Sequence, residues 1–212
     1  MRDPRAHIIS AAERLFVEHG EEGTSLRAIT REAGVNVAAI HYHFGCRDRL
    51  LEAVLDARMG PLNGRRLDLL DELPTDAPVE RLLEAFVRPD LELIDELRRD
   101  GRVELARFMG RAYTQPSPAV AAFMSQQFAP VARALLPRLG RMLPDLGADE
   151  LRLRVDLAVR VVTTLFATAP TDSEVGPLGA DDVDEQTERL VAFLAGGLAA
   201  APTLVATKEY QP

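Results

Sequence analysis

Thr24-Ser25-Leu26-Arg27-Ala28-Ile29-Thr30-Arg31-Glu32-Ala33-Gly34-Val35-Asn36-Val37-Ala38-Ala39-Ile40-His41-Tyr42-His43-Phe44 decides the fold, because it reads as two short helices joined by a glycine turn. Thr24 or Ser25 can cap the first helix through a hydroxyl that accepts a backbone N–H, and Leu26, Ile29, Thr30 and Ala33 then recur at helical spacing. Gly34 stops that helix: glycine tolerates the left-handed conformation of a sharp reversal, and Val35 can plug the angle between the helices. Asn36 is a favoured cap for the second helix, which carries Ile40 and Phe44 back toward the first. Its outward side keeps Val37, Ala38, Ala39, His41, Tyr42 and His43. Small residues let a backbone lie close to base edges and thymine methyls, while His and Tyr can hydrogen-bond bases or phosphates. Arg27, near the amino end of its helix, can reach a phosphate or a guanine edge. Such a pair of helices is a device for placing one helix in a DNA groove.

The surrounding residues sharpen this. An amphipathic helix with Ile8, Ile9, Ala12, Leu15 and Phe16 precedes Gly20, and the run continues through Gly23 to Ile29, Ala33-Gly34-Val35, Tyr42-His43-Phe44, Arg47 and Leu50-Leu51. In this combination about the first quarter of the chain resembles the DNA-binding domain of the TetR family of one-component bacterial regulators. The resemblance implies an all-α protein: a three-helix helix-turn-helix domain over 1–48, a larger helical ligand-binding and dimerisation domain over 49–204, and a flexible tail over 205–212. It places DNA contacts at Thr24, Ser25, Arg27, Asn36, Val37, Ala38, Ala39, His41, Tyr42, His43 and Arg47. Three positions depart from the family pattern. His41 stands where many members have a phosphate-holding tyrosine, which passes that contact to Tyr42 or to the imidazole. Cys46 replaces a capping serine and is a poor cap. Arg47 replaces a lysine, and either cation can meet a phosphate. Further on, Arg58 to Asn63 with Arg65-Arg66, and Phe108 to Arg111, more faintly resemble a subgroup related to a fatty-acid-responsive Pseudomonas sigma-factor regulator.

Composition bounds the rest. A chain of 212 residues, 47% hydrophobic and 27% charged, can bury a core as one or two domains. Charges interrupt the apolar runs, and Met1 to Arg5 lacks a secretion signal's apolar segment, so no membrane association and a cytoplasmic location are expected. A single cysteine excludes an intrachain disulfide or a cysteine metal cage. The net charge of −8 is unpromising for a nucleic-acid binder, but Met1 to Leu55 holds seven Arg against eight Asp and Glu, so the acidity lies mostly beyond it. DNA binding then has to rest on a few local cations, helix amino termini and two copies of the reading head.

After Arg47 the periodicity is helical throughout, with about nine helices in all. The fourth is expected to run toward Leu73 with a kink near Gly60-Pro61. Others are expected over Val79–Leu97 with a disturbance at Pro89, Gly101–Tyr113, Ala119–Met142 with breaks near Pro130 and Pro137, Asp149–Thr168 and Asp182–Ala200, with the longest loop near Pro170 to Asp181. In the penultimate helix Leu151, Val155, Ala158, Val162, Leu165 and Phe166 line one face and Leu153, Leu157, Val161 and Thr164 a neighbouring one. The last carries Val183, Thr187, Leu190, Val191, Leu194 and Leu198, with Gly196-Gly197. Doubled by a twofold axis, this pair makes a four-helix homodimer interface, which the resemblance also implies. The same faces can also fill a monomer's core.

Catalytic candidates are thin. His41 and His43 point about 200 degrees apart on a helix and cannot share a metal. No phosphate-binding glycine loop or serine elbow is present, and Cys46 reads as a helix-boundary residue. No catalytic residue, metal or cofactor is expected. Ligand-binding candidates are Arg107 and Arg111, four apart on one helix, with an apolar cavity completed by Phe86, Phe108, Phe123, Phe128 and Phe166, although aromatic stripes more often mean core and these arginines can instead pair with Glu104 and other carboxylates. The expectation is a ligand-responsive repressor released from a palindromic DNA operator by a small, partly apolar inducer. The alternative is a helical small-molecule-binding protein that does not bind DNA.

Overall fold

The computed structural model describes residues 3–171 and 182–201; most of the loop expected near Pro170 to Asp181, the tail over 205–212 and the first two residues lie outside the described residues. Among the described residues the regular structure is helical: α1 (Pro4–Gly23), α2 (Leu26–Ala33), α3 (Val37–Phe44), α4 (Arg47–Glu72), α5 (Val79–Arg99), α6 (Val103–Thr114), α7 (Pro118–Met142), α8 (Ala148–Ala167) and α9 (Val183–Ala199). These bounds lie close to those the periodicity predicts. None of these helices is long and apolar enough to cross a membrane.

Helices α1 to α3 form a small head. Asp3 caps α1 by accepting from Arg5 N–H at 2.9 Å, and Pro4 fills a first-turn position where no donor is needed. Ile8, Ala12, Phe16, Ile29, Ile40 and Phe44 bury their side chains together with Leu50 and Leu51 of α4. The first turns of α4 therefore belong to the head's core, and the rest of α4 continues into a body made by α5 to α9. Each large apolar side chain fully buried in this way contributes about 1.5–3 kcal/mol.

The expected kink and breaks at the prolines do not interrupt the helices: α4 runs through Pro61, α5 through Pro89, and α7 through Pro130 and Pro137. A proline removes one donor from the ladder and crowds the preceding turn. At two of these sites side chains of α4 supply donors from outside. Arg66 Nε donates to the Phe86 carbonyl at 3.0 Å, three residues before Pro89, and Asn63 Nδ2 donates to the Gln127 carbonyl at 3.1 Å, three residues before Pro130. Arg66 also bonds Asn63 Oδ1 at 2.6 Å and pairs with Asp90, between the rings of Phe86 and Phe128. The pair is buried, and burial raises the Asp90 pKa against the opposing pull of Arg66.

Helix ends in the body are closed by arginines from other helices. Arg138 of α7 donates to the carbonyls of Leu70 at 2.6 Å and Leu73 at 3.0 Å, and also to Pro74. Arg154 of α8 donates to Leu198 at 2.8 Å and Ala200 at 2.5 Å. These cations meet the negative ends of helices whose last carbonyls lack partners. Helices α6 and α8 approach closely: a Cβ added at Gly110 would lie 2.0 Å from the Ala167 nitrogen, so only glycine fits.

Candidate nucleic-acid interface and ligand pocket

Local chemistry sets the reading unit. Ser25 Oγ accepts from Ala28 N–H at 3.2 Å, and Asn36 Oδ1 accepts from Ala39 N–H at 2.9 Å, so each helix starts on its own side-chain cap. Gly34 adopts φ 66°, ψ 31°, and the Val35 N–H returns to the Thr30 carbonyl at 3.0 Å, closing the turn. With Ile40 and Phe44 turned inward, Val37, Ala38, His41 and Tyr42 are exposed on α3, while Ala39 and His43 are half-buried. Tyr42 is 86% exposed and meets the edge of His43 at 5.0 Å between ring centroids. His41 Nδ1 lies 2.9 Å from the Gly45 carbonyl, which can only accept, so Nδ1 donates there and Nε2 is left on the exposed side. Arg27 and Arg31 are exposed and have no ion-pair partner among the described residues.

Two expected contact residues are engaged inside the protein. The buried Thr24 hydroxyl lies 2.8 Å from the Gly20 carbonyl and 3.0 Å from that of Leu15, tying down the end of α1 where Gly20 leaves helical geometry. Arg47 folds back onto α1: it donates to the Glu21 carbonyl, lies 3.6 Å from the Glu21 carboxylate and covers the Phe16 ring. The nearby helix end attracts this cation, as its negative pole attracts any cation. Cys46 gives α4 no side-chain cap. Arg31, which the sequence pattern does not single out, stands at the last turn of α2 beside the turn itself.

In the body, the expected aromatic residues are spread over different surroundings among the described residues. A cavity of about 450 Å³ opens between α6, α7 and α8; of the seven candidates only Phe128 lines it, alongside Tyr113, Met124, Leu136, Val155 and Val159. Phe86 is buried against Arg66, and Phe166 is buried beside Tyr113 at 6.0 Å. Phe123 is half-buried against the core. Arg107 donates to Ala169 O at 3.0 Å and pairs with Glu104 at 2.8 Å. Phe108 and Arg111 instead border a cleft of about 400 Å³ between α6 and the end of α1. Spacing along α6 cannot tell these two sides apart, because residues at 107, 108 and 111 face the head and the α8 end while 113 faces the cavity.

Two matches divide the chain as its geometry does. Residues 8–54 match the bacterial regulatory proteins of the tetR family, and residues 84–197 match the tetracyclin repressor-like C-terminal domain. The chain belongs to the TetR family. It is 35% identical over 162 residues to the HTH-type transcriptional repressor Rv3405c of Mycobacterium tuberculosis, covering 76% of this chain and 72% of that one. It is 37% identical over 93 residues to the HTH-type regulator TtgW of Pseudomonas putida, and that match spans 44% of this chain and 64% of the relative's length. In fold it is similar to AibR, solved with isovaleryl coenzyme A and operator DNA, with a TM-score of 0.61 and 16% identity over 92% of this chain and 97% of that one.

In this TetR-family chain the head is tied to the body by a buried carboxylate. Glu13 of α1 accepts from Arg58 of α4 at 2.8 and 2.9 Å and from Arg102, at the start of α6, at 2.8 Å. The hydrogen bond to Glu13 raises the Arg58 pKa against burial. One turn away, the rings of Phe16 and Phe108 stack at 6.1 Å. Helix α6 thus contacts the head through Phe108 and the cavity through Tyr113. Nothing in the sequence pattern marks Glu13 as different from the exposed acids around it, since only the long-range partners distinguish it.

Proposed function

We propose that this TetR-family chain is a DNA-binding transcriptional repressor acting as a homodimer, with the head over residues 1–48 and the ligand-binding and dimerisation body over 49–204. The observation that carries this is where large apolar side chains face outward. Among the described residues they are Val37 and Tyr42 on α3, and Leu153, Leu157 and Phe193 on α8 and α9. Clustered exposed apolar side chains mark surfaces that meet something. The first group sits on the helix offered to a major groove and the second on the pair of helices offered to a second copy. The dimer face differs from the expected one on α9: Thr187, Leu190, Val191, Leu194 and Leu198 are buried, with α9 packed on α5, and Phe193 with Gly196 and Gly197 faces outward.

A small, partly apolar inducer occupies the cavity between α6, α7 and α8. Contact with Tyr113 moves α6, and Phe108 and the Glu13–Arg58–Arg102 ion cluster carry the displacement to the head. A ligand that favours this second arrangement separates the two heads wrongly for successive grooves and releases the operator. DNA contacts fall to Ser25, Arg27, Arg31, Asn36, Val37, Ala38, His41 and Tyr42; Thr24 and Arg47 support the head from within. The protein acts in the cytoplasm, where its DNA is, and no catalytic role is assigned to it. A gel shift with DNA from upstream of its own gene tests this: wild type retards the duplex at low salt, and Arg27→Ala and Tyr42→Ala each weaken binding about tenfold. A protein that binds small molecules but retards no duplex would instead be a ligand carrier.

A further inference from the structure

The cavity between α6, α7 and α8 is apolar over Met124, Phe128, Leu136, Val155 and Val159. The two cations that line it, Arg152 and Arg160, stand exposed at its rim, each beside a carboxylate. Arg152 pairs with Asp149 at 3.4 Å and Arg160 with Asp156 at 2.8 Å. Behind the wall formed by Tyr113 and Phe128, Arg66 pairs with Asp90. The hydroxyls of Thr114 and Thr163 donate to the carbonyls of Gly110 at 2.9 Å and Arg160 at 3.1 Å. Two hydroxyls of the lining have no hydrogen-bond partner among the described residues, that of Ser125, which is exposed, and that of Tyr113, which is half-buried in the cavity wall. Burial, reinforced by the Asp90 charge, raises the Tyr113 pKa, so it stands as a neutral donor.

We infer that the ligand of this cavity is an uncharged, mainly apolar molecule with a hydrogen-bond-accepting oxygen, such as a ketone, ester or lactone, held by the Tyr113 hydroxyl. A carboxylate held against the apolar wall beside Tyr113 would lose its water, and the cations at the rim, Arg152 and Arg160, already stand beside carboxylates, a cost that a neutral oxygen with one good donor avoids. At about 450 Å³ the cavity lies within the range of small-molecule sites. The inference rests on the reading above that this cavity, and not the cleft beside α1, receives the ligand.

Three molecules of nearly one shape test it by ligand-observed NMR titration of the full-length protein: acetophenone, isopropylbenzene and benzoate. Acetophenone should bind at least about tenfold tighter than benzoate. Tyr113→Phe should weaken acetophenone about three- to tenfold and leave isopropylbenzene unchanged. Ala121→Trp, which fills the cavity from its rim, should abolish binding of both neutral probes. The inference is overturned if benzoate binds as tightly as acetophenone, if Tyr113→Phe weakens both neutral probes equally, if Ala121→Trp spares binding, or if no neutral probe binds. Operator release is scored separately: binding with this preference but without release leaves the ligand class standing and removes the cavity from the switch.

Discussion

The reading turn of the head and the far ends of α4 and α9 in the body are finished by different means. In the head, Ser25 and Asn36 cap the helices they precede and Gly34 closes the turn, all within the stretch from 25 to 39. In the body, Arg138 closes the end of α4 and Arg154 the end of α9, and α4 supplies Asn63 and Arg66 to carbonyls beside two prolines, across separations of 20 to 68 residues. A unit whose ends are satisfied locally keeps its shape when its neighbours move. A unit held by side chains reaching between helices changes shape when something wedges those helices apart. The contrast places rigidity in the DNA-reading end and compliance in the ligand-receiving end, as a switch requires.

The largest effect is expected from breaking the body's buried pair. Arg66→Met leaves Asp90 buried without a partner, which should cost about 3–5 kcal/mol, whereas Arg66→Met with Asp90→Leu should recover most of it; thermal melting of both variants reads the difference. Gly110→Ala comes next. Its methyl would overlap the Ala167 backbone, so α6 and α8 must part, at about 1–3 kcal/mol by denaturant unfolding. Asn36→Ala should cost about 1 kcal/mol, and amide exchange should show the loss confined to α3 and the turn before it. A loss that spread through α5 to α9 would mean that the head is not the self-contained unit the contrast describes.

The same contrast explains what can be read from the residues alone. Helix bounds are legible because caps, glycines and apolar spacing are local signals, and Ile40 and Phe44 turn inward as their spacing predicts. The breaks expected at Pro130 and Pro137 do not occur, because the loss of a donor is visible in sequence while an outside donor such as Asn63, beside Pro130, is not. Which phenylalanine meets what is not legible either: Phe86 covers a buried cation and Phe108 stacks on the head. Arg47 matches its position in the motif, but the pull of the α1 end on its guanidinium depends on how the chain folds back. On α9 the buried and exposed apolar residues share one composition, and only packing on α5 separates Phe193 from the core.

The central claim is that two heads, joined through α8 and α9, read one duplex. It is tested most directly by titrating a labelled upstream duplex with wild type and with Phe193→Arg, while sedimentation reports the oligomeric state of each. The account predicts a wild-type dimer that saturates at two protomers per duplex, and a folded monomeric variant whose affinity falls by about a hundredfold or more. A monomeric variant that binds as tightly as wild type, or a wild type that ignores the duplex at low salt, would contradict it.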